Sequence, residues 1–134
     1  MSNAIVQVGP IETIPPDIHI VRAKLGGTMT NEDTKLVSAW AEGLRAEVAR
    51  LHAETGKIVS ILIDLREMGT YTDPETINIL VKLMKDDDAH VHKTATFGGN
   101  VLHEMTERII SSMAGRTNLK NFKTEEEALS WLQI

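Results

Sequence analysis

The sequence predicts an α/β fold: a mostly parallel central sheet of about five strands, with an antiparallel N-terminal strand and about four flanking helices. Three observations carry this. Short apolar or alternating segments regularly give way to segments whose apolar residues recur at spacings of three and four. The run KIVSILIDL, residues 57–65, is apolar for most of its length, as expected of a central strand covered on both faces. The resulting order, β-β-α-β-α-β-α-β-α, contains successive β-α-β crossovers, which join parallel strands through covering helices.

The elements follow in order. AIVQV reads as a short strand, and GPIETIPPD after it as a Pro-rich turn region. In IHIVRAKL, Val21, Ala23 and Leu25 share one face and Arg22 and Lys24 the other, until Gly26 and Gly27 end the strand. A long helix is expected over about 30–54, where Val37, Trp40, Leu44, Val48 and Leu51 recur at helical spacing, with Thr30 as cap, Asp33 in a capping-box position and a stop near Gly56. After the central strand, a second helix over about 73–85 buries Ile77, Leu80, Val81 and Met84. KTATFGG is a short strand, and Asn100 opens a third helix with Leu102, Met105, Ile109 and Met113 on its apolar side. TNLKNF is the last strand. TEEEALSWL is the final helix, with Thr124 and Glu127 forming a capping box and Leu129, Trp131 and Leu132 available to pack.

Composition narrows the function classes. A chain of 134 residues fits one domain over residues 1–134, in which the opening MSNA carries no functional weight. Hydrophobic content of 42%, charged content of 25% and a dispersed net charge of -5 are those of an ordered globular protein. The absence of cysteine removes thiol nucleophiles, thiolate zinc sites and disulfides, and fits a reducing compartment. No apolar run approaches the roughly 20 residues that span a bilayer, and no basic-then-apolar signal opens the chain. A cytoplasmic protein that is not integral to a membrane is expected. The 14 Lys and Arg form no basic cluster, so nucleic acid is not an expected partner.

In parallel sheets, ligands and partners meet the loops at the carboxyl ends of the strands. Here those loops are DLREMGTYTDPE, residues 64–75, and GGN, residues 98–100. Asp64 ends the third strand, where a receiver domain carries its phosphoacceptor, but AIVQVGP lacks the acidic pair that holds a metal there and TNLKNF lacks the terminal Lys-Pro. A structural carboxylate bonding local amides is the favoured role. DDDAHVH, residues 86–92, has metal-binding atom types without a ligand spacing and reads as a solvated turn. His19, His52 and His103 are scattered, and no nucleophile elbow, phosphate loop or dinucleotide fingerprint is present. No catalytic residue, metal or cofactor is assigned. Gly98 and Gly99 permit close approach of a ligand, and amides at a helix start by Asn100 favour anions; with no lysine beside the two glycines, a tight strand-to-helix turn capped by Asn100 is the favoured reading. Met84, Met105 and Met113 with Trp40 and Trp131 offer the lining of a lipid-like pocket, but core filling is the favoured role, since Met at helical spacing commonly fills irregular gaps.

The two initial strands, IVSILIDL, the turn after it, KTATFGG and above all NFKTEEEALSWL resemble the STAS superfamily (sulfate transporter and anti-sigma-factor antagonist), and within it the SpoIIAA-like branch. Phe122, Ala128, Trp131 and Leu132 match that branch's terminal pattern, and the resemblance covers nearly the whole chain. It implies a bacterial-type, non-enzymatic regulatory domain that binds a protein partner through the loop after the third strand and the start of the following helix. It also implies a switch by phosphorylation of a serine in an Asp-Ser-Ser/Thr-Gly motif. That motif falls on DPET: Asp73 matches its aspartate, whereas Glu75 stands at the phosphoserine position and Thr76 at the glycine.

Asp73 before Pro74, or Thr72 with Glu75 as a box, makes a strong helix start. Two carboxylates then sit at the positive end of the helix dipole and repel an added phosphate, which leaves Thr72 and Thr76 as weak phosphoacceptors. The expected function is a protein-interaction or regulatory module. Its recognition surface comprises Asp64, Arg66, Thr70, Tyr71, Thr72, Asp73 and Glu75, with Gly98, Gly99 and Asn100 beside them. The alternative is a carrier or sensor holding an acyl or anionic ligand between the second and third helices and the sheet. A weaker third option is a hydrolase or phosphotransfer enzyme using Asp64 and a histidine. The partner is an unidentified protein, and a homodimer is compatible with the sequence.

Overall fold

The computed structural model describes residues 5–14, 18–29, 34–57, 59–71, 78–79, 81–82, 91–98 and 118–134. Strands β1 (Ile5–Ile14) and β2 (Ile18–Met29) lead into helix α1 (Thr34–Thr55). Then come β3 (Val59–Asp64), β4 (Met68–Tyr71), β5 (Val91–Phe97), β6 (Leu119–Phe122) and helix α2 (Glu125–Leu132). The sheet order is β1-β2-β3-β5-β6, with β1 antiparallel to β2 and every later pairing parallel. Two of the four expected helices are therefore described as elements. Residues 78–79 and 81–82 are helical within the expected second helix, and the third lies outside the described residues.

The core is split by the sheet. Residues 59–63 of β3 are all buried, and their alternation sends Val59, Ile61 and Ile63 to one face and Leu62 to the other. On the first face α1 lays down Val37, Trp40, Ala41, Leu44, Val48 and Leu51, meeting Val21, Ala23 and Leu25 of β2. The Trp40 indole donates to Gln7 O at 2.9 Å, satisfying its polar edge where the ring is buried. Arg50 pairs with Glu47 at 2.9 Å and with Glu54 at 2.8 Å along the helix's outer side. Val81 joins the same cluster and Ile79 packs against it, so these helical residues lie over this face. On the second face, Ala128 and Leu132 of α2 seal Ile20, Leu62, Ala95 and Phe97.

Helix α2 starts where the capping box places it: Thr124 Oγ1 accepts from Glu127 N at 3.2 Å and donates to the Glu127 carboxylate at 3.1 Å. Trp131 tilts against Phe122 with ring centroids 5.6 Å apart.

Three segments differ from expectation. GPIETI continues β1 instead of forming a turn region. Pairing passes from Val8↔Ala23 to Ile11↔Val21, so the first strand carries one extra residue at Gly9 and Pro10. A bulge on an edge strand tolerates a proline that has no N–H for a ladder. Gly26 and Gly27 do not end β2. Gly27 N donates to Glu67 O at 2.8 Å, and a Cβ on Gly26 would crowd Glu67 Cβ at 3.2 Å, so glycine admits the chain that follows β3. That chain, expected as a turn, forms β4, parallel to β2 beyond the stretch paired with β3.

Leu44 is fully buried and Leu36 is 39% exposed on the same helix. Leu44→Ala should cost about 2–5 kcal/mol in urea unfolding, and Leu36→Ala should stay within about 0.5 kcal/mol.

Candidate functional site

At the carboxyl ends of the strands the register lines up one row across the sheet: Lys24 opposite Asp64, Asp64 opposite Phe97, Phe97 opposite Phe122. The strand ends are tied by further backbone bonds, Leu65 N to Phe97 O at 2.9 Å and Gly98 N to Phe122 O at 3.2 Å. Burial stops in this row. Phe97 is buried, the Asp64 side chain is 16% exposed, and that of Arg66 is 63% exposed.

Asp64 is fixed by the turn that follows it. Its Oδ1 accepts from Arg66 N at 2.9 Å, and its carboxylate takes Arg66 Nε at 3.1 Å and Nη2 at 2.8 Å. Partial burial pushes the Asp64 carboxyl up, but the Arg66 hydrogen bonds and charge, with Lys24 behind them, outweigh it and hold the group below its ordinary value. The Asp64 bonds raise Arg66 in turn. The guanidinium lies 5.3 Å from the Phe97 ring centroid.

Gly98 supplies the floor. Its φ is +80°, and a Cβ there would overlap Arg66 Cγ while lying 3.2 Å from Arg66 Cα and Cβ. Only glycine satisfies the left-handed backbone and the close approach together. Around this centre Lys24 pairs with Glu67, and Arg22 pairs with Glu125 and with Glu12 at 3.1 Å. Burial lowers Arg22, but its two carboxylate partners override that and raise it. The second face therefore ends in a band of alternating charges beside aromatic rings.

Of the expected surface, the structure brings Asp64, Arg66 and Gly98 together. The backbone of Thr70 and Tyr71 closes β4. Thr72, Asp73, Glu75, Thr76, Gly99 and Asn100 lie outside the described residues, as do Met84, Met105, Met113 and the ground between the second and third helices where the carrier alternative places its ligand. Sequence reasoning missed Lys24, Glu67, Phe97 and Phe122 as members of this pole. The available signal was the strand register, which needs the pairing to be known. Among the described residues no three His, Asp or Glu side chains gather as a metal site, and no helix is long and apolar enough to cross a membrane.

Similarity to other proteins agrees with this architecture. No curated protein matches the chain. Among solved structures, an uncharacterised DUF3478-family protein with a SpoIIAA-like fold from Shewanella loihica superposes with a TM-score of 0.64 at 20% identity, covering 98% of this chain and 97% of that one. The anti-sigma factor antagonist SpoIIAA in its unphosphorylated form gives a TM-score of 0.57 at 15% identity, over 96% of each chain. A putative anti-sigma factor antagonist from Thermotoga maritima gives 0.61 at 14% identity, over 93% of this chain and 94% of that one. These identities establish the fold alone. The SpoIIAA-like family profile matches residues 20–133, from the first fully buried residue of β2 to the end of α2, and by that match the chain belongs to the SpoIIAA-like family.

Proposed function

We propose that this chain is a non-catalytic regulatory module that binds a protein partner through the carboxyl pole of its sheet. Asp64 and Arg66 form the centre, continued by Thr70 to Asp73, Glu75, Gly99 and Asn100. The observation that carries the proposal is the pinned Asp64–Arg66 pair on Gly98. The carboxylate is committed to three nitrogens of its neighbour, which suits positioning better than nucleophilic or acid-base work. Arg66 Nη1 makes no bond among the described residues. Its fork is thus preorganised and open on one edge, the geometry with which arginine takes a carboxylate. The two anti-sigma factor antagonists among the structural neighbours support a regulatory role by fold. In the sequence, Glu75 carries a fixed negative charge at the position where the family resemblance places a modifiable serine.

Amine-directed cross-linking of the tagged chain in its own cell extract tests the surface. Partner links should fall on Lys24 and on Lys120, whose ammonium lies 5.4 Å from the Phe122 ring centroid, and Arg66→Glu should weaken that partner at least about tenfold. Links confined to Lys35 and Lys57, with Arg66→Glu binding as wild type, place recognition elsewhere.

Gly98→Ala should destabilise by about 1–3 kcal/mol in urea unfolding, because alanine is strained at this φ and displaces Arg66. Retention of full stability would show that the close approach is not required.

Asp64 has a depressed folded value, so its contribution to stability is complete above its unfolded value, about pH 4, and is lost as pH falls through the folded value. The stability gap between wild type and Asp64→Asn should therefore be widest above about pH 4 and shrink below it. A gap independent of pH across that range contradicts the assignment.

A further inference from the structure

Helix α2 is fastened to the sheet by a charge at each end. At its start Arg22 of β2 pairs with Glu125. At its other end the last turn contains no basic residue, although carbonyls without helical partners gather there at the negative end of the helix dipole. The missing charge comes from β5. Lys93 Nζ donates to Trp131 O at 2.8 Å and to Ile134 O at 3.2 Å, and it lies 4.9 Å from the Trp131 ring centroid. Lys93 makes no ion pair with a carboxylate among the described residues, and its ammonium is committed to the end of this helix.

Little else holds α2 in place. Its 8 residues fall short of the about 12–15 that an isolated helix needs in water. It buries only Ala128 and Leu132 completely, where α1 buries six residues. Beneath it lie Ile20, Leu62, Ala95 and Phe97, none more than 2% exposed. Trp131 in the last turn rests against Phe122, and Phe122 is the register partner of Phe97, on whose ring Arg66 is stacked. A short helix with a small buried face is the kind of unit that opens locally while the rest of a fold stays closed.

We propose that α2 is an openable cover over the second core, and that Lys93 is the latch that holds it shut. Closed, the ammonium faces the carbonyl end of α2 and keeps Trp131 against Phe122, which backs the Phe97–Arg66 stack. Open, the helix uncovers an apolar floor that ends, at Phe97, in the Asp64 row. One side chain serves two carbonyls and a ring, so its loss releases three contacts together. The device rests on the geometry of α2 and holds whatever binds at the carboxyl pole.

Amide hydrogen exchange of the intact chain tests the latch. In the wild type, residues 129–132 should exchange at least about tenfold faster than Leu44 and Val48 of α1, the mark of a local opening. Lys93→Met keeps the aliphatic stem and removes the ammonium. It should speed residues 129–132 a further roughly three- to tenfold, leave α1 unchanged and move the amide resonances of Phe122 and Gly98. Lys93→Arg should return α2 toward the wild-type rate, since a guanidinium donates to the same carbonyls. The proposal is overturned if α1 and α2 exchange at one rate in the wild type, or if Lys93→Met leaves α2 unaltered or speeds both helices equally. It is overturned also if Lys93→Arg exchanges as fast as Lys93→Met, or if Phe122 and Gly98 stay in place. A Lys93→Met chain that does not fold contradicts it as well, because the latch of a local cover does not control the whole fold.

Discussion

The structure depends on one strand being buried on both faces. β3 has no solvent side over residues 59–63, so its alternation feeds two separate cores at once. α1 covers β1, β2 and β3 on the first face, and α2 packs on β3, β5 and β6 on the second. Where β3 emerges from that double cover, the next residue is a carboxylate. Asp64 is thus the first group in the strand that can carry charge without the full penalty of interior burial, and Arg66 reduces what remains. The position of the candidate surface follows from where the burial ends.

The poles of the sheet have different chemistry for the same reason. At the carboxyl pole the row from Lys24 to Phe122 ends in paired charges above aromatic rings, and each charge at its centre has a partner. At the amino pole Ser60 is buried, its backbone held in the ladder beside Ile20 and its hydroxyl without a partner among the described residues.

Much of the architecture was legible in the sequence because it rests on periodicity. The apolar spacing of Val37 through Leu51 gave α1, the unbroken run around Ile61 gave the central strand, and Thr124 with Glu127 gave the start of α2. What escaped was set by pairing. Gly26, Gly27 and Pro10 are breakers by local rule, yet each sits inside a strand because a neighbouring chain or a bulge accommodates it. At the candidate surface, Asp64, Arg66 and Gly98 were expected from their place at strand ends, and the structure brings these three together. Lys24 and Phe122 were not expected, since only register brings residues so distant in sequence into one row.

The bulge at Gly9 and Pro10 has a consequence beyond the fold itself. β1 forms one border of the sheet, and its outer rim is interrupted by a residue that offers no N–H and by a local change of register. A strand from another molecule seeking to extend the sheet there would meet a broken ladder. The opposite border, β6, is a strand of only 4 residues. A chain whose middle is a run of consecutive apolar β-formers thus presents poor templates for added strands at both of these margins.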